Sequence, residues 1–155
     1  MLKEGDNLPE LEFETDCRGK LKLSDYLGKN IVIYFYPKDK TPGCTLEAIA
    51  FSGLYQKFAE QNCEIIGISR DTIISHQKFK EMFNLEHVLA MSASEDLYNA
   101  FGVLAEKSMF GAKYIGIERS TFLIDEKGVL RKAWRKVKVL GHAEKVYKEL
   151  VKLNS

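Results

Sequence analysis

A six-residue apolar run, Ile31-Val-Ile-Tyr-Phe-Tyr36, is followed after a short loop by a helical pattern from Thr45 to about Gln61. The run has no polar face, so it reads as a strand covered on both sides, as parallel strands tend to be. Between strand and helix lies Pro37-Lys-Asp-Lys-Thr41-Pro42-Gly43-Cys44. Thr41 can act as helix N-cap, its side chain accepting a backbone N–H of the first turn. Pro42 then falls at the first helical position, where its missing N–H costs nothing. This phasing puts Cys44 in the first turn, where unpaired N–H groups and the positive end of the helix dipole favour a thiolate. A cysteine so placed is expected to have a lowered pKa and to be reactive. A free cysteine is more often a small apolar residue packed under a sheet; the Thr-Pro-Gly-Cys context points to the reactive role.

Pro37-x-x-x-Thr41-x-x-Cys44 resembles the active-site motif of the peroxiredoxins. The wider phrase from Tyr34 to Glu47 is similar to the bacterioferritin comigratory, or Q-type, branch, and so is a second block from Phe110 to Asp125 that contains Arg119-Ser-Thr-Phe. The resemblance runs over nearly the whole chain. It implies a thioredoxin-like α/β fold with a central mixed sheet, flanking helices and an N-terminal β-hairpin extension. It also implies a monomeric thiol peroxidase in which Cys44 is the nucleophile, Thr41 orients the peroxide and Arg119 is the cation beside the sulfur. By the same resemblance Pro37 shields the sulfur from bulk water and Glu47 bonds an active-site group such as Arg119. Alone, Arg119 would be a solvated arginine, Pro37 a loop proline, and Glu47 a carboxylate favouring the helix dipole. Gly43 lets backbone approach closely, and N–H groups near Gly43 and Cys44 can serve as oxyanion donors. Sulfur carries the redox change, so no flavin, haem or metal is needed.

The remaining pattern agrees with that order of elements. Leu8–Phe13 and Lys20–Leu23 alternate around a turn at Asp16–Gly19 and suggest a hairpin, and Ser24–Gly28 reads as one capped helical turn. In the helix after Cys44, the spacing of Leu46, Ile49, Ala50, Gly53, Leu54 and Phe58 gives an apolar face. Cys63–Ser69 reads as a buried strand. Asp71 or Thr72 can cap a helix running through Asn84, with Ile74, Phe79, Met82 and Phe83 available for burial. A strand at His87–Met91 and a helix at Glu95–Phe101 follow. Val103 to Gly116 lacks a clear period and reads as a long loop. Asp125–Gly128 joins strands Ser120–Ile124 and Val129–Arg135, and His142 to Leu153 forms a final amphipathic helix.

The 155 residues suit one domain, residues 1–155. A net charge of +1 gives no global field toward nucleic acid or an anionic membrane. The first residues have no apolar signal region and no apolar run reaches membrane-span length, so a cytoplasmic protein is expected, with no membrane partner. His76, His87 and His142 are far apart in sequence and are expected at the surface or its boundary, with no metal site.

Three cysteines, Cys17, Cys44 and Cys63, do not form a paired pattern. Many Q-type relatives carry a second, resolving cysteine five residues after the first, where this chain has Ile49. A helix from Pro42 to Gln61 would span roughly 30 Å, far beyond the ~7 Å between Cα atoms that a disulfide needs. Cys63 is therefore not expected to reach Cys44, whereas Cys17, in a turn, stays open as a resolving thiol. The pattern favours a one-cysteine cycle completed by an external thiol: thioredoxin, glutaredoxin with glutathione, or a small thiol. Competing readings are a dithiol oxidoreductase, disfavoured because Thr41 stands where a Cys-x-x-Cys has its first cysteine, and a binding or chaperone-like protein on the same fold. Nucleic-acid binding through Arg131–Lys138 is a further alternative, against which a solvated basic strand is the simpler reading.

Overall fold

A computed structural model describes all of residues 1–155. The chain runs β1 (Glu12–Thr15), β2 (Gly19–Lys22), a 3-10 turn (Leu23–Tyr26), β3 (Asn30–Phe35), α1 (Pro42–Gly53), α2 (Tyr55–Glu60) and β4 (Cys63–Ile68). It continues through α3 (Ile73–Phe83), β5 (Val88–Met91), α4 (Asp96–Phe101), β6 (Leu104–Met109), β7 (Ala112–Ile117), β8 (Ser120–Ile124), β9 (Leu130–Trp134) and α5 (His142–Asn154). Seven strands form one mixed sheet in the order β2-β1-β5-β4-β3-β8-β9. The centre, β3-β4-β5, is parallel, and β1 and β8 flank it antiparallel. This is the thioredoxin-like α/β fold, with the N-terminal hairpin on one edge.

Strand β3 is buried at all six positions because it separates two cores. Ile31, Ile33 and Phe35 face a core closed by the N-terminal segment and α4. Val32, Tyr34 and the following Tyr36 face a second core covered by α1, α2, α3 and α5. Alternate side chains of a strand point to opposite faces, which is why the run shows no polar face.

The structure departs from the sequence pattern at several places. The first strand lies later than Leu8–Phe13, at Glu12–Thr15; Pro9 has no N–H for a ladder. The helix following Cys44 is not continuous, since Leu54 (φ −102°, ψ 4°) separates α1 from α2 just after Gly53. The buried face of α1 is also different: Cys44, Glu47, Ala48 and Phe51 point inward, while Leu46 and Ile49 are 63% and 45% exposed. Phe51 stacks on Tyr34 at 4.6 Å between ring centroids. One large aromatic pair, with Cys44 turned inward, outweighs the Leu/Ile stripe in setting the rotation of the helix.

In α3, Thr72 is the cap, its hydroxyl accepting Ser75 N–H at 3.1 Å. His76 and Phe79 are buried, whereas Ile74 and Met82 are exposed. All three histidines are buried rather than superficial. The supposed loop from Val103 to Gly116 is the β6–β7 hairpin, turning at Phe110-Gly111 where both φ values are positive. Most of its side chains are exposed or half-buried, so no face had to be apolar and no period marks it.

Candidate active site

The site lies at the carboxyl end of β3. Thr41 has extended N-cap geometry and Pro42 opens α1, so Cys44 is its third residue. The capping bond expected of Thr41 is not made: its hydroxyl instead donates to Lys38 C=O at 2.8 Å, closing the loop on itself. Pro37 is half-buried at the start of this loop. Lys40 holds φ at 67°, a left-handed value that non-glycine residues seldom take.

Arg119 arrives from the other side through sheet register. Strand β8 runs antiparallel to β3 with Phe35 opposite Ser120, so Arg119 stands at the mouth of the Tyr36–Thr41 loop. Its backbone C=O accepts Val137 N–H at 3.0 Å. Its guanidinium forks, one nitrogen donating to Cys44 Sγ at 3.4 Å and the other to Glu47 Oε1 at 2.7 Å. Glu47 lies one turn beyond Cys44 on the same inward face of α1. A Cβ added at Gly43 would stand 3.2 Å from the guanidinium, so the glycine makes room for the close approach.

Cys44 is 1% exposed. The sulfur therefore sits in a dry setting with the positive end of α1 and a fixed cation beside it, which strengthens each electrostatic contact. Burial pushes the Glu47 carboxyl up to about 7, with the Arg119 charge and hydrogen bond drawing it part-way back. Burial opposes the Arg119 charge, but the neighbouring Glu47 and Cys44 more than offset it and raise its pKa. Glu47 Oε2 is buried without a hydrogen-bond partner.

The structure thus brings Thr41, Gly43, Cys44, Glu47 and Arg119 together, with Pro37 in the loop beside them. It does not bring the other thiols there. Cys63 begins β4 in register with Asn30, at the start of β3, about 17 Å of strand away from the β3 terminus. Its thiol donates to Glu64 C=O, and burial raises its pKa. The separation therefore rests on sheet register, not on a straight helix. Cys17 is exposed in the β1–β2 turn, beside Lys80 Nζ at 3.8 Å, and its neighbour Asp16 bonds to Leu89 near the start of β5. It too lies at the sheet end opposite Cys44. Trp134 packs edge-on against His142 at 5.8 Å, so it is not a free stacking surface. No group of three or more His, Cys, Asp or Glu side chains is placed to hold a metal ion, and no helix is long and apolar enough to cross a membrane.

Two functional candidates escaped the sequence pattern: Asp39 in the site loop and His76 on α3, both buried and bonded to each other. His76 does share a helical stripe with Phe79 and Phe83, which was a visible sign of burial; Asp39, between two exposed lysines, gave none.

A cysteine in the first turn of a helix, forked by an arginine at the end of a thioredoxin-like sheet, is the arrangement expected of a peroxiredoxin, and the AhpC/TSA family profile matches residues 5–133. The chain belongs to that family. Within it the relatives are of the bacterioferritin comigratory, Q-type branch. Peroxiredoxin Bcp of Bacillus subtilis is 50% identical over 146 residues, covering 94% of this chain and 93% of its own. A Coxiella burnetii relative described as a putative peroxiredoxin bcp is 42% identical over 145 residues, covering 94% and 96%. Among solved structures, the Xanthomonas campestris bacterioferritin comigratory protein, studied for its alkyl peroxide reduction activity, superposes with a TM-score of 0.88 at 40% identity over 94% of this chain and 92% of that one. A cysteine-to-serine mutant of Xylella fastidiosa PrxQ superposes with a TM-score of 0.93 at 37% identity over 100% and 99%.

Proposed function

We propose that this thiol-dependent peroxidase works as a one-cysteine enzyme on hydrogen peroxide and organic hydroperoxides, in antioxidant defence. The observation that carries the reading is the fork of Arg119 onto Cys44 and Glu47, with both other thiols at the far end of the sheet. The Cys44 thiolate attacks one oxygen of R–O–O–H. An S–O bond forms as the O–O bond breaks, and sulfur loses two electrons. The alkoxide or hydroxide leaves and takes a proton to become alcohol or water, and Cys44 becomes a sulfenic acid. Arg119 and the first N–H groups of α1 face the charge that moves from sulfur to oxygen. Thr41, held by Lys38 C=O, still has its oxygen lone pairs free for the peroxide proton. Pro37 limits water at the sulfur.

An external thiol then attacks the sulfenic sulfur, water leaves, and a second thiol releases Cys44 from the mixed disulfide. Thioredoxin, or glutaredoxin with glutathione, fits this role. The chain acts as a monomer in the cytoplasm. Without a nearby resolving thiol the sulfenic acid is open to further, irreversible oxidation, so excess peroxide is expected to inactivate it.

The test is intact mass after one equivalent of hydrogen peroxide on reduced protein, with and without a sulfenic-acid trap. A gain of one oxygen, trapped at Cys44, supports the reading. Loss of two hydrogens within one chain means an internal disulfide and overturns the one-cysteine cycle. An unchanged mass with Cys44 free overturns the peroxidase and favours a binding protein on this fold.

A further inference from the structure

Behind the Tyr36–Thr41 loop lies a buried polar cluster that the chemistry above leaves unused. Asp39 follows Pro37-Lys38 and precedes the left-handed Lys40. Its side chain is buried between two exposed lysines. Asp39 Oδ1 accepts the Tyr36 hydroxyl at 2.5 Å. Oδ2 accepts the Ser75 hydroxyl at 2.8 Å and lies 2.8 Å from His76 Nδ1. Asp39 N–H donates to Asp71 Oδ2 at 2.8 Å, which fixes the backbone of the same residue.

His76 is fully buried, and its other nitrogen, Nε2, lies 2.9 Å from Ala90 C=O of β5. A carbonyl oxygen carries no hydrogen, so Nε2 must be the donor. Nδ1 faces an oxygen of Asp39 that already accepts Ser75. Nδ1 also lies 3.4 Å from the Tyr36 hydroxyl, so the ring is held on one side by Asp39 and Tyr36 and on the other by β5. Burial pushes the Asp39 carboxyl up, but the bonds from His76, Tyr36 and Ser75 outweigh it and hold the carboxyl below its ordinary value. The facing groups are thus Asp39 and Tyr36 from the strand–loop segment, Asp71 behind them, Ser75 on α3 and the β5 carbonyl.

The geometry assigns Asp39 and His76 as a buried hydrogen-bonded pair that positions the peroxide-binding loop, tying Thr41 and Pro37 to α3 and β5. The loop needs such a tie. A left-handed lysine is strained and persists only where its surroundings impose it. The Thr41 hydroxyl is held by Lys38 C=O, the residue before Asp39. Neither Asp39 nor His76 hydrogen-bonds to Cys44 or Arg119, so they act on the reaction through the loop and are not catalytic residues.

The inference rests on the peroxidase reading of Cys44, and the unmodified protein tests that reading separately through its own rate with hydrogen peroxide. The variants Asp39→Asn and His76→Gln are compared with it for the peroxide rate constant and for Cys44 thiolate absorbance at neutral pH. Misplacement by about 1 Å costs on the order of 100-fold, so a 10- to 100-fold slower reaction with unchanged thiolate absorbance is expected. Ser75→Ala, which removes one bond to Asp39, gives a smaller loss in the same direction and stands in if the others do not fold. Folded variants reacting within twofold of the parent, or a thiolate signal that falls in step with the rate, would each overturn the assignment.

Discussion

Replacing Arg119 by methionine removes the cation shared by Cys44 and Glu47 while keeping much of the side-chain volume. Glu47 is 1% exposed and its Oε2 has no partner, so nothing else in the site can take over the 2.7 Å bond. A hydrogen bond to a charged group contributes roughly 1.5–3 kcal/mol, and that loss applies at every pH. A second loss depends on pH. Glu47 titrates at about 7 in the folded protein, above the ordinary value of 4.5. Without Arg119 its folded pKa rises further, so the variant keeps a proton that the parent releases. For an acid whose folded pKa is raised, stability falls as pH climbs toward that value. The gap between variant and parent therefore widens above pH 7 by about 1.4 kcal/mol per unit. The expected deficit is roughly 1.5–3 kcal/mol at pH 6 and about 3–4.5 at pH 8, near the range for stranding one member of a buried pair. Denaturant unfolding at the two pH values measures it. Adding Glu47→Gln should flatten the pH dependence while leaving the peroxide rate down by ~100-fold or more, since the donor facing the reacting oxygen is still missing. A deficit equal at pH 6 and 8, or a double variant that keeps the parental rate, would refute this account of the fork.

Gly43→Ala should separate stability from activity: alanine favours the helix by up to ~1 kcal/mol, but its Cβ pushes the guanidinium back from 3.2 Å, so unfolding is unchanged or raised while the peroxide rate drops several-fold. Burial lowers His87 to about 3 and His142 to about 4. Both bind protons more readily when unfolded, so stability is full above pH 6.5 and lost as pH falls toward those values. Between roughly pH 4.5 and 6.5 these two groups outvote the opposite effect of Glu47, giving a net slope of about 1.4 kcal/mol per unit; His142→Gln should flatten it in an acid unfolding series. Timed alkylation with peptide mapping in native protein should label Cys63 last, because its thiol is both buried and raised in pKa, and only unfolding should make it match Cys17. Fast native labelling of Cys63 would break its placement in the sheet.

Strand β3, the Thr41–Pro42 helix start and the order of elements were legible because each depends on local chemistry: an all-apolar run, a cap, a proline at the first helical position. Arg119 could be named from its motif, but its fork onto Cys44 and Glu47 follows from β3–β8 register, which spans more than 80 residues of chain. The inward face of α1 was misread because Leu46 and Ile49 looked like core while the decisive contact, Phe51 on Tyr34, is tertiary. Glu47 is an acid on a buried face, tolerable only with its partner present. The buried histidines were missed for the same reason. Thr121 contacts His142, Tyr34 contacts His87, and Asp39 contacts His76, each from a distant segment. Hairpin β6–β7 was invisible because the ribbon meets the core only at its Leu104–Ile117 end and has no continuous face to bury.

The outward turn of Ile49 has a consequence for how such an enzyme can change its electron source. The position that carries a second thiol in many Q-type relatives is here 45% exposed and outside both cores. A residue there can be exchanged with little disturbance to packing, so whether the enzyme resolves its own sulfenic acid is uncoupled from whether it folds. On an α-helix, however, positions 44 and 49 point to different sides, about 140° apart at 3.6 residues per turn. An internal disulfide would require the first turns of α1 to unwind. A resolving thiol placed at this surface position would therefore disturb little packing, and its cost would fall on the motion of one short helix.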